Sequence, residues 1–236
     1  MIEQRRKHPR MGGRKLYYKL QDIFDSEGIK IGRDRFFDVL RRHKLLIKRR
    51  RNFVRTTNSF HRFRVYNNLI KDKNICHPNQ VLVSDLTYIN TREGYLYLSL
   101  VMDAYSRKIV GYEVSDTLEA VGCLRALNMA LKQLPVNHSA IHHSDRGIQY
   151  CSQAYIEKLR SNNLQISMTE ENHCYENAQA ERINGVLKGE YGLRNKFVNK
   201  NMAKLACKQA IELYNTDRPH LALNMETPEI AHRVYH

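Results

Sequence analysis

The chain changes character between Asn74 and Gln80, and that switch constrains the fold more than any single motif. Residues 1–74 hold 22 of the 39 Lys and Arg but 7 of the 24 Asp and Glu. Beyond them the two signs balance at 17 each, so the whole net charge of +15 sits in the first third. A segment that basic repels itself unless it meets a polyanion, and nucleic acid is the commonest one. A merely solubilising tail is the plainer alternative, but the segment also carries a helical apolar pattern. Around Gln80 that pattern gives way to runs of β-branched and aromatic residues. The sequence therefore predicts a small basic helical unit, a linker and a larger α/β unit.

In the basic third, Leu16, Leu20, Ile23 and Phe24 follow the i, i+4, i+7, i+8 spacing of an apolar helix stripe. Gly28 supplies a turn or C-cap, and Phe36, Phe37, Leu40 and Leu45 mark a second helix. Arg33, Arg35, Arg41 and Arg42 decorate the other faces of that helix. Two short helices around a tight turn, the second rich in arginine, fit a helix-turn-helix. Lys48, Arg49, Arg50 and Arg51 then continue the charge, with contact to phosphates as their expected role. Residues 1–50 read as a DNA-binding region and residues 51–76 as a basic linker.

From Gln80 onward the pattern predicts strands over Val81–Ile89, Tyr95–Met102 and Lys108–Val114, joined by short turns as an antiparallel meander. A helix over Leu118–Leu134, a strand over Ala140–His143, a helix over Gln153–Asn162 and a strand over Gln165–Met168 follow. A long helix over Glu176–Tyr191 ends the series. This order gives a mixed five-stranded α/β sheet covered by helices, placed at 77–192, with a helical tail at 193–236. The tail contains a helix over Lys200–Tyr214.

Three carboxylates stand out against this background. Asp85 interrupts the apolar strand VLVSDLTYI, where a charge is costly unless it is paired or meets a cation. Asp145 follows the fourth strand. Glu181 lies on the last core helix, where Asn177, Asn184 and Lys188 share its face and Ala180, Ile183, Leu187 and Tyr191 form a core stripe. Acidic groups on two strand ends and a helix are what hard divalent cations require, since Mg²⁺ takes oxygen ligands and binds through a few carboxylates plus substrate phosphate. Two such ions about 4 Å apart activate an attacking oxygen and stabilise a leaving one in phosphoryl transfer. The interval from Asp145 to Glu181 carries little weight alone.

Order and local motif add the rest. The segments VLVSDLTYI, DAYSRKIVGYEV, HHSDRGIQYCS, ENAQAERINGVLKGEY and YNTDRPHLALNMETPEIAH resemble, in sequence, the catalytic core of bacterial insertion-sequence DDE transposases related to retroviral integrases. More narrowly, the chain is similar to the second-reading-frame product of two-frame elements, over nearly everything from Arg5 to the end, including HPRMGGRKLYYKL. The resemblance implies an RNase H-like fold and a DDE-type polynucleotidyl transferase. It carries the catalytic and metal-binding triad onto Asp85, Asp145 and Glu181, with two Mg²⁺ ions and Mn²⁺ as substitute, and DNA-end contact onto Lys188. It further implies double-stranded DNA as substrate (the element's terminal repeats and a target), a homo-oligomer on DNA, and an upstream-frame protein as partner. One departure is that the chain has no Trp, although the family often carries one shortly before the first Asp.

Other residues have plainer readings. Arg218 in the tail is expected either to contact DNA or to cap the preceding helix. Asp103 fits a turn cap paired with Arg107 better than a metal ligand. Of His142 and His143, the first is expected in the core and the second toward DNA. The five cysteines show no CxxC pair and fit reduced thiols, and Cys76, His77, His173 and Cys174 make a poor zinc template. With no signal peptide and no long apolar run, the expected setting is the bacterial cytoplasm, at the nucleoid when DNA is bound. Two other functions compete: a catalytically silent DNA-binding regulator, and a simple RNase H-type nuclease that the basic helices argue against.

Overall fold

The computed structural model describes residues 1–47, 63–170 and 178–233. The N-terminal part holds three helices, α1 (Ile2–Lys7), α2 (Gly13–Ser26) and α3 (Arg33–Arg42). The sequence pattern foresaw the last two. Leu16 and Leu20 of α2 pack on Phe36 and Leu40 of α3, with Phe24, Phe37 and Leu45 at the margin. Ile23, expected in the stripe, is 46% exposed, so the buried face is narrower than the spacing suggested.

Both helix ends are built the same way. Gly28, at φ +66°, sends its N–H to Asp25 O (3.2 Å) while Ile29 N–H reaches back to Phe24 O (2.7 Å). This paired arrangement satisfies orphan carbonyls and needs a left-handed residue, which glycine takes without a Cβ penalty. At the end of α3 the same motif recurs on a lysine: Lys44 holds φ +55°, Lys44 N–H meets Arg41 O (3.2 Å) and Leu45 N–H meets Leu40 O (2.8 Å).

The larger unit is a five-stranded sheet in the order β3-β2-β1-β4-β5. β1 (Val81–Thr91), β2 (Gly94–Asp103) and β3 (Ile109–Ser115) form the expected antiparallel meander. β4 (Ile141–Ser144) and β5 (Gln165–Met168) add in parallel beside β1. Alternate residues feed two cores. Leu82 and Val101 point to the side where α4 (Ala120–Leu131) brings Ala126 and Leu127, and α5 (Gln153–Ser161) brings Tyr155 and Leu159. Val83, Leu98 and Leu100 point to the other side, against Ile183 and Leu187 of α6 (Ala178–Glu190) and Cys207, Ile211 and Tyr214 of α7 (Lys200–Thr216). Coverage on both faces explains why β2 is almost continuously apolar.

Asn199 caps α7 by accepting Met202 N–H on its side-chain oxygen (2.8 Å). A 3₁₀ turn (Leu221–Leu223) and α8 (Pro228–Arg233) follow. The N-terminal helices lean on this end of the core: His8 Nε2 lies 2.6 Å from Asp217 Oδ2, Lys19 pairs with the same carboxylate, and Lys15 Nζ is 3.9 Å from Glu190. Among the described residues, no helix is long and apolar enough to cross a membrane.

Candidate active site

The register of β1 and β4 builds the acidic pair. The last Cα partners of this parallel ladder are Ser84 and Ser144. One residue beyond this pair come Asp85, still within β1, and Asp145, just past the end of β4, near enough for the charge of Asp145 to act on Asp85. Asp85 is still inside regular strand, opposite Leu100 of β2. Asp145 already begins a turn, and its Oδ1 accepts the N–H of Gly147 at 2.9 Å. A Cβ on residue 147 would stand 2.9 Å from that same oxygen, so only glycine fits this cradle without a shift.

α6 supplies the third side. Asn184, buried on this helix, donates Nδ2–H to Asp85 Oδ2 at 2.7 Å, while Leu86 N–H donates to Asp85 Oδ1 at 2.9 Å. Glu181 lies nearly one turn before Asn184, in the first turn of the helix, and is exposed. Lys188 lies one turn after it and is half-buried. The Asp85 carboxyl is pushed up to about 7, first by burial and then by the nearby charge of Asp145, with a smaller push from Glu181, against the hydrogen bonds from Asn184 and Leu86. The Lys188 ammonium is lowered by burial, while attraction to Asp85 opposes this. Asp85 thus registers the presence of both other acids, and Lys188 registers Asp85.

Among the described residues, no three His, Cys, Asp or Glu side chains stand close enough together to hold a metal ion between them. Two carboxylates crowd each other on adjacent strands, and a third projects from a helix end. Among the described residues, Asn184 Oδ1 is buried without a hydrogen-bond partner. An all-oxygen donor set with like-charge crowding and an orphaned amide oxygen fits a hydrated, hard cation better than a soft one.

Several expected residues lie elsewhere. Arg218 is a correction: it is 3% exposed, and its Nε and Nη2 donate to Glu190 Oε2 and Oε1, both at 2.8 Å. Its charge is spent inside the protein, on a carboxylate at the end of α6, so it is neither a surface DNA contact nor a helix cap. His143 is also corrected: it is fully buried, with Nδ1 2.8 Å from Ser167 Oγ. Asp103 does anchor a turn, through Ser106 N–H and Oγ–H (2.7 Å each) and Asn79 N–H (2.7 Å), and the expected partner Arg107 donates its N–H to Asp103 O (2.9 Å). Arg33, Arg35, Arg41 and Arg42 are exposed on α3, Arg33 and Arg41 leaning on Asp34 and Asp38. Lys48, Arg49, Arg50 and Arg51 lie outside the described residues, as do Asn177, His173 and Cys174. The residue that sequence reasoning undervalued is Asn184; its spacing from Glu181 put it on the right face but not on Asp85.

Comparison with known proteins gives this geometry its context. Residues 76–174 match an integrase core domain family, and residues 162–228 match a second integrase core domain family. The first match spans Asp85 and Asp145, and the second spans Glu181 and Lys188. The 31 kDa protein of insertion element IS600 from Shigella sonnei is 37% identical over 220 residues, covering 92% of this chain and 81% of that relative. The transposase InsF of insertion sequence IS3A from Escherichia coli (strain K12) is 33% identical over 213 residues, covering 89% and 74%. In fold, the catalytic core domain of HTLV-2 integrase in complex with magnesium superposes with a TM-score of 0.53 at 18% identity, covering 66% of this chain and 98% of that one. The integrase-type fold and the insertion-sequence relatives lead to one conclusion: the chain belongs to the insertion-sequence transposases with an integrase core, DNA transposases of the DDE polynucleotidyl-transferase class.

Proposed function

We propose that Asp85, Asp145 and Glu181 are the catalytic carboxylates of this transposase and together hold two Mg²⁺ ions, with Mn²⁺ as a working substitute. Bound there, the ions supply Lewis-acid activation of the attacking oxygen and charge stabilisation of the leaving one. Water, and then a DNA 3′-hydroxyl, attacks the phosphorus in line; the new P–O bond forms as the bond to the leaving oxygen breaks. The chain's own part is positioning. The β1/β4 ladder fixes the spacing of Asp85 and Asp145, Asn184 holds the Asp85 carboxylate in one orientation, and Glu181 projects from the first turn of α6. Lys188, close enough to Asp85 to feel its charge, is placed to steady the phosphate beside it.

In this reading the substrate is the element's own terminal repeats, joined to target DNA by a homo-oligomer, with an upstream-frame protein as partner. Residues 1–50 and the linker 51–76 grip the duplex, through Arg33, Arg35, Arg41 and Arg42 on α3 and Lys48, Arg49, Arg50 and Arg51 beyond it. Residues 77–192 perform the chemistry and 193–236 brace the core. The regulator alternative is not favoured, because all three acids are kept in the sequence.

The observation that carries the proposal is the register that sets Asp145 beside Asp85 with Glu181 in electrostatic reach. Asp85→Asn is expected to abolish Mg²⁺-dependent nicking of DNA carrying the element ends while gel-shift affinity stays within about twofold. A variant that still nicks would remove Asp85 from the chemistry.

A further inference from the structure

The strongest feature outside the carboxylate site is a cavity of 230 Å³ where the N-terminal helices, the β2–β3 turn, α6 and the C-terminal tail meet. Its cationic lining is Lys15 from α2, Arg107 from the turn, Arg182 from α6 and Arg218 after α7, and among the described residues no acidic side chain lines it. Glu190, which neutralises Arg218 and lies 3.9 Å from Lys15, sits behind these groups. Among the described residues, Arg107 Nη1 is buried with no hydrogen-bond partner, and so is the acceptor Oε1 of Gln179 in the same lining. A buried guanidinium N–H without an acceptor is costly, which is a reason to expect that something supplies one.

The electrostatics agree. His220 in the lining is driven down to about 2, first by burial and then by Arg218, Lys15, Arg107 and Arg182. Lys15 is lowered to about 8, first by burial and then by Arg218, with Arg182 adding to it against Glu190. Cations from four separate elements therefore act on one point. The remaining wall is apolar, from Ile183, Val186 and Leu221, beside the buried ring of Tyr214. The volume far exceeds the roughly 30 Å³ share of one water. Gln179, Arg182 and Val186 occupy a face of α6 turned away from Asn184 and Lys188, so the cavity is separate from the carboxylate site.

We infer that this cavity is a nucleotide subsite: Arg107, Arg182 and Lys15 take a phosphate group while the apolar wall takes the attached sugar or base. Two sources share that chemistry, a nucleotide unit of the DNA strand and a free nucleotide. As a DNA subsite the inference rests on the transposase reading above, and it adds a second grip on the strand on the far side of α6.

The test uses the full chain and four forms: wild type, Arg182→Gln, Arg107→Gln and, as a charge-matched control, Lys208→Gln on the exposed surface of α7. Arg182 is exposed, so its variant folds even if Arg107→Gln does not. Fluorescence anisotropy with a labelled duplex across a KCl series reads the DNA source. Each arginine variant is expected to bind about tenfold more weakly, with the slope of log K against log salt shallower by about one. Lys208→Gln should track wild type. Thermal shift with deoxyadenosine monophosphate and with inorganic phosphate reads the free source: stabilisation of wild type but not of Arg182→Gln would assign the site to a small nucleotide. If neither the DNA slope nor the thermal shift depends on Arg182 or Arg107, the cavity holds no phosphate and the inference is wrong. That failure in a chain that cleaves DNA leaves the transposase reading intact, whereas arginine-dependent binding in a chain that never cleaves removes the chemistry and keeps the subsite.

Discussion

Asn184 Nδ2 donates to Asp85 Oδ2 at 2.7 Å, joining a helix to a strand 99 residues earlier in the chain. The bond does two things: it satisfies one oxygen of a half-buried carboxylate, and it fixes which way the other faces. Outer partners of metal-binding carboxylates typically contribute 10- to 100-fold. Asn184→Ala is therefore expected to lower DNA nicking by about 10- to 100-fold. It should also raise the Mg²⁺ concentration needed for half-maximal rate, with DNA affinity unchanged. A variant with lower rate but the same Mg²⁺ dependence would show that Asn184 supports only packing.

The bidentate pair of Arg218 and Glu190 is the main ionic strut between the tail and α6. Burial alone would raise the Glu190 carboxyl, but the hydrogen bonds and charge of Arg218, with Lys15 behind, hold it below its usual range. Removing one partner strands the other charge. Arg218→Ala is expected to cost about 3 kcal/mol in urea unfolding, the low end for a buried pair because Glu190 is 22% exposed. Arg218→Lys should recover little, since an ammonium lacks the planar fork. Arg218→Met combined with Glu190→Leu should recover most of the loss, and a double variant as unstable as the single one would contradict this account.

His142 sets a pH limit on the fold. Its Nε2 lies 2.8 Å from Ser84 Oγ and 2.9 Å from Tyr155 Oη, deep in the sheet. Burial first, and the neighbouring His143 second, lower it to about 3. The unfolded chain takes up this proton near pH 6.5 and the folded one only near 3. In that window the unfolded state binds more protons, so stability is complete above pH 6.5 and falls as pH drops. The expected slope from this one group is at most about 1.4 kcal/mol per pH unit. Denaturant midpoints measured from pH 7 to pH 4 should show it, and His142→Gln should flatten the curve. An unchanged slope in that variant would move the effect to other groups.

Much of this was legible from residues alone, for identifiable reasons. β1 and β2 follow from runs rich in apolar, β-branched and aromatic residues bounded by turn residues, and Gln165–Met168 matches its predicted span to the residue. The element order then restricts the sheet to few topologies. α1 escaped notice because it has six residues and none of them is buried, so no apolar period marks it. α4 was drawn too long because Leu118 and Leu134 extend the apolar spacing past Ala120–Leu131. The left-handed turn at Lys44 lacks the glycine that signals one. Within the site, Asp85 and Asp145 were visible as charges at strand positions. The Asn184 contact and the internal use of Arg218 were not, because a polar side chain reads the same in sequence whether it faces water or a carboxylate.

The ladder of β1 and β4 has only four Cα pairs, yet it alone decides that two acids 60 positions apart arrive together. Spacing between the acids is therefore indifferent to the length of the connection from α4 to β4, residues 132–140, where the chain can grow or shrink without disturbing the alignment. A single residue inserted within Ile141–Ser144 would do the opposite: it would turn Asp145 to the other side of the sheet while sparing nearly all of the hydrophobic interior. Such a protein is expected to keep its shape while the proposed carboxylate pair is broken.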